Sequence, residues 1–297
     1  MWLPWDIAAV GAMLLLVPGF AFAGTEGRLG AAAAVAREAA IVAVLYSLWQ
    51  LAGHLSVVHL EGAIGRAEWL WDLERTFQLP DEGVWQRALL PHGWSVQAAN
   101  IYYGGAHVPA MGIFLVWMFF RHRVAYPQWR NAVAWLTGWC LVVQLLPVAP
   151  PRLVDELGIV DTGHLYGQSV YSTFGETVAG QLQAMPSIHV GWAVLIAVAA
   201  MRVSSSPWRW VAVAHAAATS YVVVVTGNHF WADGIAAVAI LAAILIAQDR
   251  VTRRRSALVE PPRSLHSVIG EDQVGAGTPN PGEGLEHDRT LVEPSSR

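Results

Sequence analysis

Three short stretches of this 297-residue chain hold side chains whose types and spacing could do chemistry: PPR at 150–152, MPSIH at 185–189 and NHFWAD at 228–233. In the last, His229 and Asp233 are four positions apart, which on a helix puts both on one face. A carboxylate so placed accepts a proton from one imidazole nitrogen and leaves a lone pair on the other. That is the state a nucleophilic or general-base histidine needs. Arg152 follows Pro150 and Pro151, which stiffen the backbone behind it, and its planar fork matches two phosphate oxygens. Ser187, after Pro186, is the expected N-cap of a helix whose first-turn N–H groups form an anion site beside His189.

Each residue also has a plain structural reading. His189 alone could be a hydrogen-bonded core histidine, and Arg152 could pair with Asp155 or Asp161. His189, His229 and Asp233 could ligate zinc. An arginine suits an anion better than a metal, so neither metal nor cofactor is expected.

What must position these residues is a membrane bundle. The chain is 55% hydrophobic and 13% charged, against about 25% charged in soluble domains. Stretches free of Asp, Glu, Lys and Arg recur along it, for example 39–60, 88–120 and 177–201, near the ~20 residues one crossing needs. The expected fold is all-α, with seven transmembrane helices near 5–23, 38–60, 99–120, 131–149, 186–202, 208–226 and 229–248. The first carries Asp6 instead of a basic start and is expected to be retained, not cleaved. The single cysteine, Cys140, falls inside the fourth span and is expected to be a packed core residue. No clustered basic face marks a nucleic-acid surface.

The chain has no Lys, and its Arg residues divide 11 to 4 between the two sides of this bundle, counting residues up to 255. The positive-inside rule then puts the amino terminus outside and the C-terminal tail in the cytoplasm. The longer connections, 61–98 and 150–185, face outward. Within the first, Leu70, Leu73 and Phe77 share a helical face opposite Glu68, Asp72 and Arg75, which predicts a helix in the membrane interface or a lid over the helix ends. Residues 256–297 are rich in Pro, Gly, Ser and acids, the composition of a disordered tail. The fifth and sixth spans form a hairpin around SSSPW (204–208), so His189 and His229 return to one outer level, where the fourth span delivers Arg152.

These blocks resemble the signature motifs of the type 2 phosphatidic-acid-phosphatase superfamily, and more closely its inositol phosphorylceramide synthase-like branch, over roughly residues 38–248. NIYYGGAH (100–107) and GIVDT (158–162) belong to the likeness. It implies a six-helix core at 38–250, an added N-terminal helix with its loop at 1–37 and a tail at 251–297. It also implies phosphoryl transfer from a membrane lipid through a phosphohistidine: His229 as nucleophile, Asp233 orienting it, His189 as acid, and Arg152, Ser187 and Asn228 binding the phosphoryl oxygens. Two cations common in the superfamily are replaced here by Leu145 and Val223, and a common glycine by Ile188.

Asn100, Tyr103 and His107 form a stripe on the third span. With Asp161 they either line an acceptor pocket or hydrogen-bond between helices. Water as acceptor gives a lipid phosphatase, and an alcohol such as inositol gives a phosphotransferase. A non-catalytic phosphate- or lipid-binding protein or transporter is the alternative of another class.

Overall fold

The structure is a computed structural model that describes residues 5–56, 62–169 and 181–259. The chain divides after Val251 into two compact units. Within the first, a hairpin of α1 (Trp5–Ala21) and α2 (Gly27–Ser56) precedes a segment of two short helices, α3 (Ala63–Thr76) and α4 (Glu82–Leu89). Then come α5 (Gly93–Gly105), α6 (His107–Arg121), α7 (Tyr126–Val143), two single 3-10 turns at Pro151–Leu153 and Asp155–Leu157, and the one-turn α8 (Thr162–Leu165). The hairpin of α9 (Ile188–Val203) and α10 (Arg209–Val225) leads into α11, Trp231–Val259. Eleven α-helices and no strand occur among the described residues, so the fold is all-α.

The helices expose side chains that water would not tolerate in such number. Leu14, Val17, Phe20, Ile113, Phe120 and Trp135 are each at least 60% exposed. An apolar outer surface of this kind suits hydrocarbon as solvent. The helical stretches Gly27–Leu48 and Trp231–Arg254 are long and apolar enough to cross a bilayer. Several expected spans are cut short by their own sequence. α7 stops at Val143, ahead of Pro147 and Pro150, and α9 cannot begin until Pro186 is passed. Shorter apolar helices, Asp6–Ala21, Ile188–Val203 and Arg209–Val225, stand where the first, fifth and sixth spans were expected.

The expected third span is broken. α5 and α6 meet at Ala106 with a bend of 50°, and Gly104, Gly105 and Pro109 explain it. Two residues with no side chain to pack end one helix, and a proline that lacks an N–H is tolerated only in the first turn of the next. The last helix runs on to Val259, past the expected start of the tail. Residues 260–297 lie outside the described residues.

Three apolar clusters hold the unit together. The largest joins α6, α7, α9 and α11 through Met118, Trp129, Leu136, Leu195 and Leu241, with Cys140 buried among them as expected. Gly191 lets α9 approach closely, because a Cβ there would lie 3.2 Å from Leu136 and 3.4 Å from Ala237. A second cluster packs Ala63, Ala67 and Leu70 of α3 on Val148, Ala149 and Phe230. So α3 covers the ends of other elements with a face that differs from the expected one. Ala63, Ala67, Leu70 and Glu74 are buried, while Phe77 lies past the helix end and is 71% exposed. The third cluster joins Ala99 and Tyr103 of α5 with Val222–Val225 of α10.

Candidate active site

α11 begins at Trp231, so His229 stands on the turn before the helix and Asp233 is its third residue. The two were expected inside one helix, and a different device pairs them. Asp233 Oδ2 accepts the Phe230 N–H at 2.9 Å, the way an acid at the third helical position reaches back over a helix start. The same oxygen lies 3.2 Å from His229 Nδ1. That nitrogen also meets the Ala184 carbonyl at 2.7 Å. A carbonyl oxygen only accepts, so Nδ1 carries the hydrogen and Nε2 holds the lone pair. The lone pair faces Nδ1 of His189 across 3.3 Å.

Local sequence explains each placement. Gly227 has φ +71°, and a Cβ there would stand 2.9 Å from Ile159 and 3.0 Å from Arg152. Only glycine turns the chain from α10 to His229 at that distance. Val148 exchanges hydrogen bonds with Leu182 O at 2.9 Å and Ala184 N at 3.2 Å. This short pairing holds the Ala184 carbonyl against His229. Ser187 caps α9 by accepting the Val190 N–H, as expected, and its own N–H donates to Asp233 O at 3.0 Å. The entry to α9 is thereby tied to α11.

Arg152 is buried on the first 3-10 turn. Its Nη1 donates to Asn228 Oδ1 at 2.6 Å and its Nε pairs with Asp161 Oδ2 at 3.2 Å. Of the two acids the sequence offered, Asp161 is the one engaged, and Asp155 is exposed. The Arg152 guanidinium is therefore already shared with a carboxylate. Asn228 is fixed in turn by the Thr226 hydroxyl at 2.8 Å. Leu145 is exposed and Val223 is buried in the third cluster, so neither position supplies charge.

A cleft beside Arg152 is lined by Asn100, Tyr103, Asp161, Gln168 and Asn228. The Asn100 amide donates to Thr162 O at 2.9 Å and Gln168 Oε1 at 3.3 Å, and its oxygen accepts the Thr162 hydroxyl at 2.8 Å. Asn100 thus lines the cleft and also hydrogen-bonds to α8. His107 lies behind the histidines instead, with its ring centroid 4.4 Å from that of His189. Tyr103 bridges the two regions, 4.9 Å from the His189 ring. His164 is exposed.

Sequence reasoning missed three buried polar residues around this site. Gln86 donates to Val160 O at 2.9 Å and Val225 O at 3.1 Å and accepts the Val160 N–H at 2.8 Å, locking the Asp161 loop to the end of α10. Glu74 and Glu82 reach the start of α11. A signal for Glu74 was present. Ala63, Ala67 and Leu70 share a helical stripe with it, and a carboxylate ending an apolar stripe asks for a buried partner.

A family model described as the PAP2 superfamily matches residues 68–247. The chain belongs to the PAP2 superfamily. The match runs from α3 to α11 and takes in Arg152, His189, His229 and Asp233, while α1 and α2 precede it. PAP2 superfamily membership points to phosphatase or phosphotransferase activity. No curated protein and no solved structure matches the chain.

Proposed function

We propose that this PAP2 superfamily protein transfers a phosphoryl-bearing group from a membrane lipid through a phosphohistidine on His229, at the outer face of the membrane and without a metal. The observation that carries this reading is the His229 ring, whose Nδ1–H is engaged by Ala184 O and Asp233 so that Nε2 is left as the nucleophile. In the first step Nε2 attacks phosphorus, the bond to the leaving oxygen breaks, and His189 gives that oxygen its proton. In the second, water or an alcohol attacks phosphorus, the P–N bond breaks, and His189 takes the acceptor's proton. Such transfers depend mainly on positioning and charge neutralisation, which Arg152, Asn228 and the first turn of α9 at Ser187 would supply. At 3.3 Å the two ring nitrogens leave no room for phosphorus between them. Substrate binding must therefore swing His189 aside.

The polar cleft of Asn100, Tyr103 and Asp161 favours an alcohol acceptor such as inositol, in line with the synthase-like resemblance. The 11-to-4 division of Arg supports an outward-facing site. The test is to reconstitute the protein in liposomes with lipid phosphates and phosphodiesters, with and without a polyol. Free phosphate marks the hydrolase and a new phospholipid marks the transferase. Turnover that persists with chelator supports the metal-free route. Turnover unchanged in His229→Ala overturns the mechanism.

A further inference from the structure

Two buried acids play no part in that chemistry. Glu74, near the end of α3, and Glu82, in the first turn of α4, are 1% and 0% exposed. Both reach the start of α11. Glu82 Oε1 accepts the Trp231 N–H at 3.4 Å, and Glu74 Oε1 accepts the Ala232 N–H at 2.6 Å. Arg75 Nη2 joins their other oxygens at 3.3 and 3.0 Å and also donates to Pro80 O at 3.0 Å. The guanidinium lies over the Trp71 ring, 4.3 Å from its centre. Three successive N–H groups at a helix start, which lack intrahelical partners, are thus taken by three carboxyls: Phe230 by Asp233, Trp231 by Glu82 and Ala232 by Glu74.

We propose that Glu74 and Glu82, clamped by Arg75, are positioning residues that fix the first turn of α11 and so hold the Asp233 carboxylate on His229 Nδ1. This rests on the proposed roles of His229 and Asp233. The physical reason is the lack of slack at Asp233. One oxygen serves both the Phe230 N–H and His229, so a small tilt of the helix start breaks one bond or the other. Displacements of about 1 Å cost about 100-fold in rate.

The clamp also has a charge state. The groups facing Glu74 are Arg75 on its own helix, Glu82 from α4 and Asp233 from α11. Burial, and then the Glu82 carboxyl hydrogen-bonded beside it, pushes the Glu74 carboxyl up to about 9. It is therefore protonated at neutral pH. Because its value is raised on folding, its contribution is complete in acid and is lost as pH rises through about 9. Ionisation then sets a new negative charge against Glu82 and Asp233 and loosens the clamp.

The experiment measures kcat and KM of the full chain in liposomes containing phosphatidic acid, from neutral to alkaline pH, for the parent, E74A, E74Q and H229A. E74A is expected to lose kcat about 100-fold with little change in KM. E74Q keeps the acceptor oxygen and the uncharged shape. It should recover most of that loss and lack the alkaline fall that the parent shows near pH 9. A parental kcat in E74A, or an alkaline fall retained in E74Q, overturns the proposal. If E74A does not fold, the E74Q pH profile decides alone. If H229A turns over normally, the histidine mechanism fails; if H229A is dead and E74A is normal, only the clamp fails.

Discussion

α9 and α11 pass through two regions held by different forces. Toward one end they join α6 and α7 in an apolar cluster of Met118, Trp129, Leu136, Leu195 and Leu241. At the other end the buried residues are Ser187, Asn228, His229 and Asp233, with Arg152, Glu74 and Glu82 arriving from elsewhere. The apolar region has no direction of its own and tolerates rearrangement as long as volume is filled. In the polar region each of these side chains has at least one partner at a set distance, because an unpaired one in this environment is costly. One end of the same two helices therefore supplies a packed apolar base, and the other a site whose atoms have fixed roles.

Substitutions at the two ends should separate along this line. The largest effect is expected at His229. Its change to Ala should lower turnover by about 10⁴-fold or more while the thermal midpoint in detergent stays near that of the parent. A similar drop in midpoint would erase the contrast between the regions.

His189→Ala comes next, with a loss of about 10²–10⁴-fold on natural lipid phosphates. The loss should be much smaller on esters with a good leaving group, which need no acid. Equal losses on both substrates would argue against its acid role.

Six residues further along the same helix, Leu195→Ala should do the opposite. Opening a cavity in the apolar cluster should cost about 2–5 kcal/mol of stability, measured by denaturation, with kcat per folded molecule unchanged.

The smallest effect is expected at Asp161→Asn, which releases Arg152 from its ion pair. KM for a lipid phosphate should fall about fivefold, the scale of a partly exposed pair. A rise in KM would show that Asp161 orients Arg152 instead of competing for it.

Much of the site was legible in the chain. The spacing of His229 and Asp233 implied their pairing, Ser187 before an apolar run implied a cap, and the hairpin around 204–208 implied that His189 and His229 share a level. The cap and the shared level follow from local pattern and a short turn, whereas the His229–Asp233 pair, expected on one helix face, is made over the helix start instead. The bend at Ala106 was carried by Gly104, Gly105 and Pro109 but lay inside an apolar stretch long enough to read as one span. The buried face of α3 was misjudged because Leu73 and Phe77 looked more apolar than a stripe that ends at Glu74. Burial there is set by Phe230 and the start of α11, more than 150 positions away.

The sequence by itself determined the all-helical fold, the apolar surface and the residue types of the site, since composition and periodicity act over a few turns. Tertiary structure decided which acid meets Arg152, which backbone carbonyl sets the His229 tautomer and which carboxyls hold the start of α11. Those choices depend on distances of about 3 Å between segments far apart in the chain, and hydrogen bonds weaken steeply beyond that range.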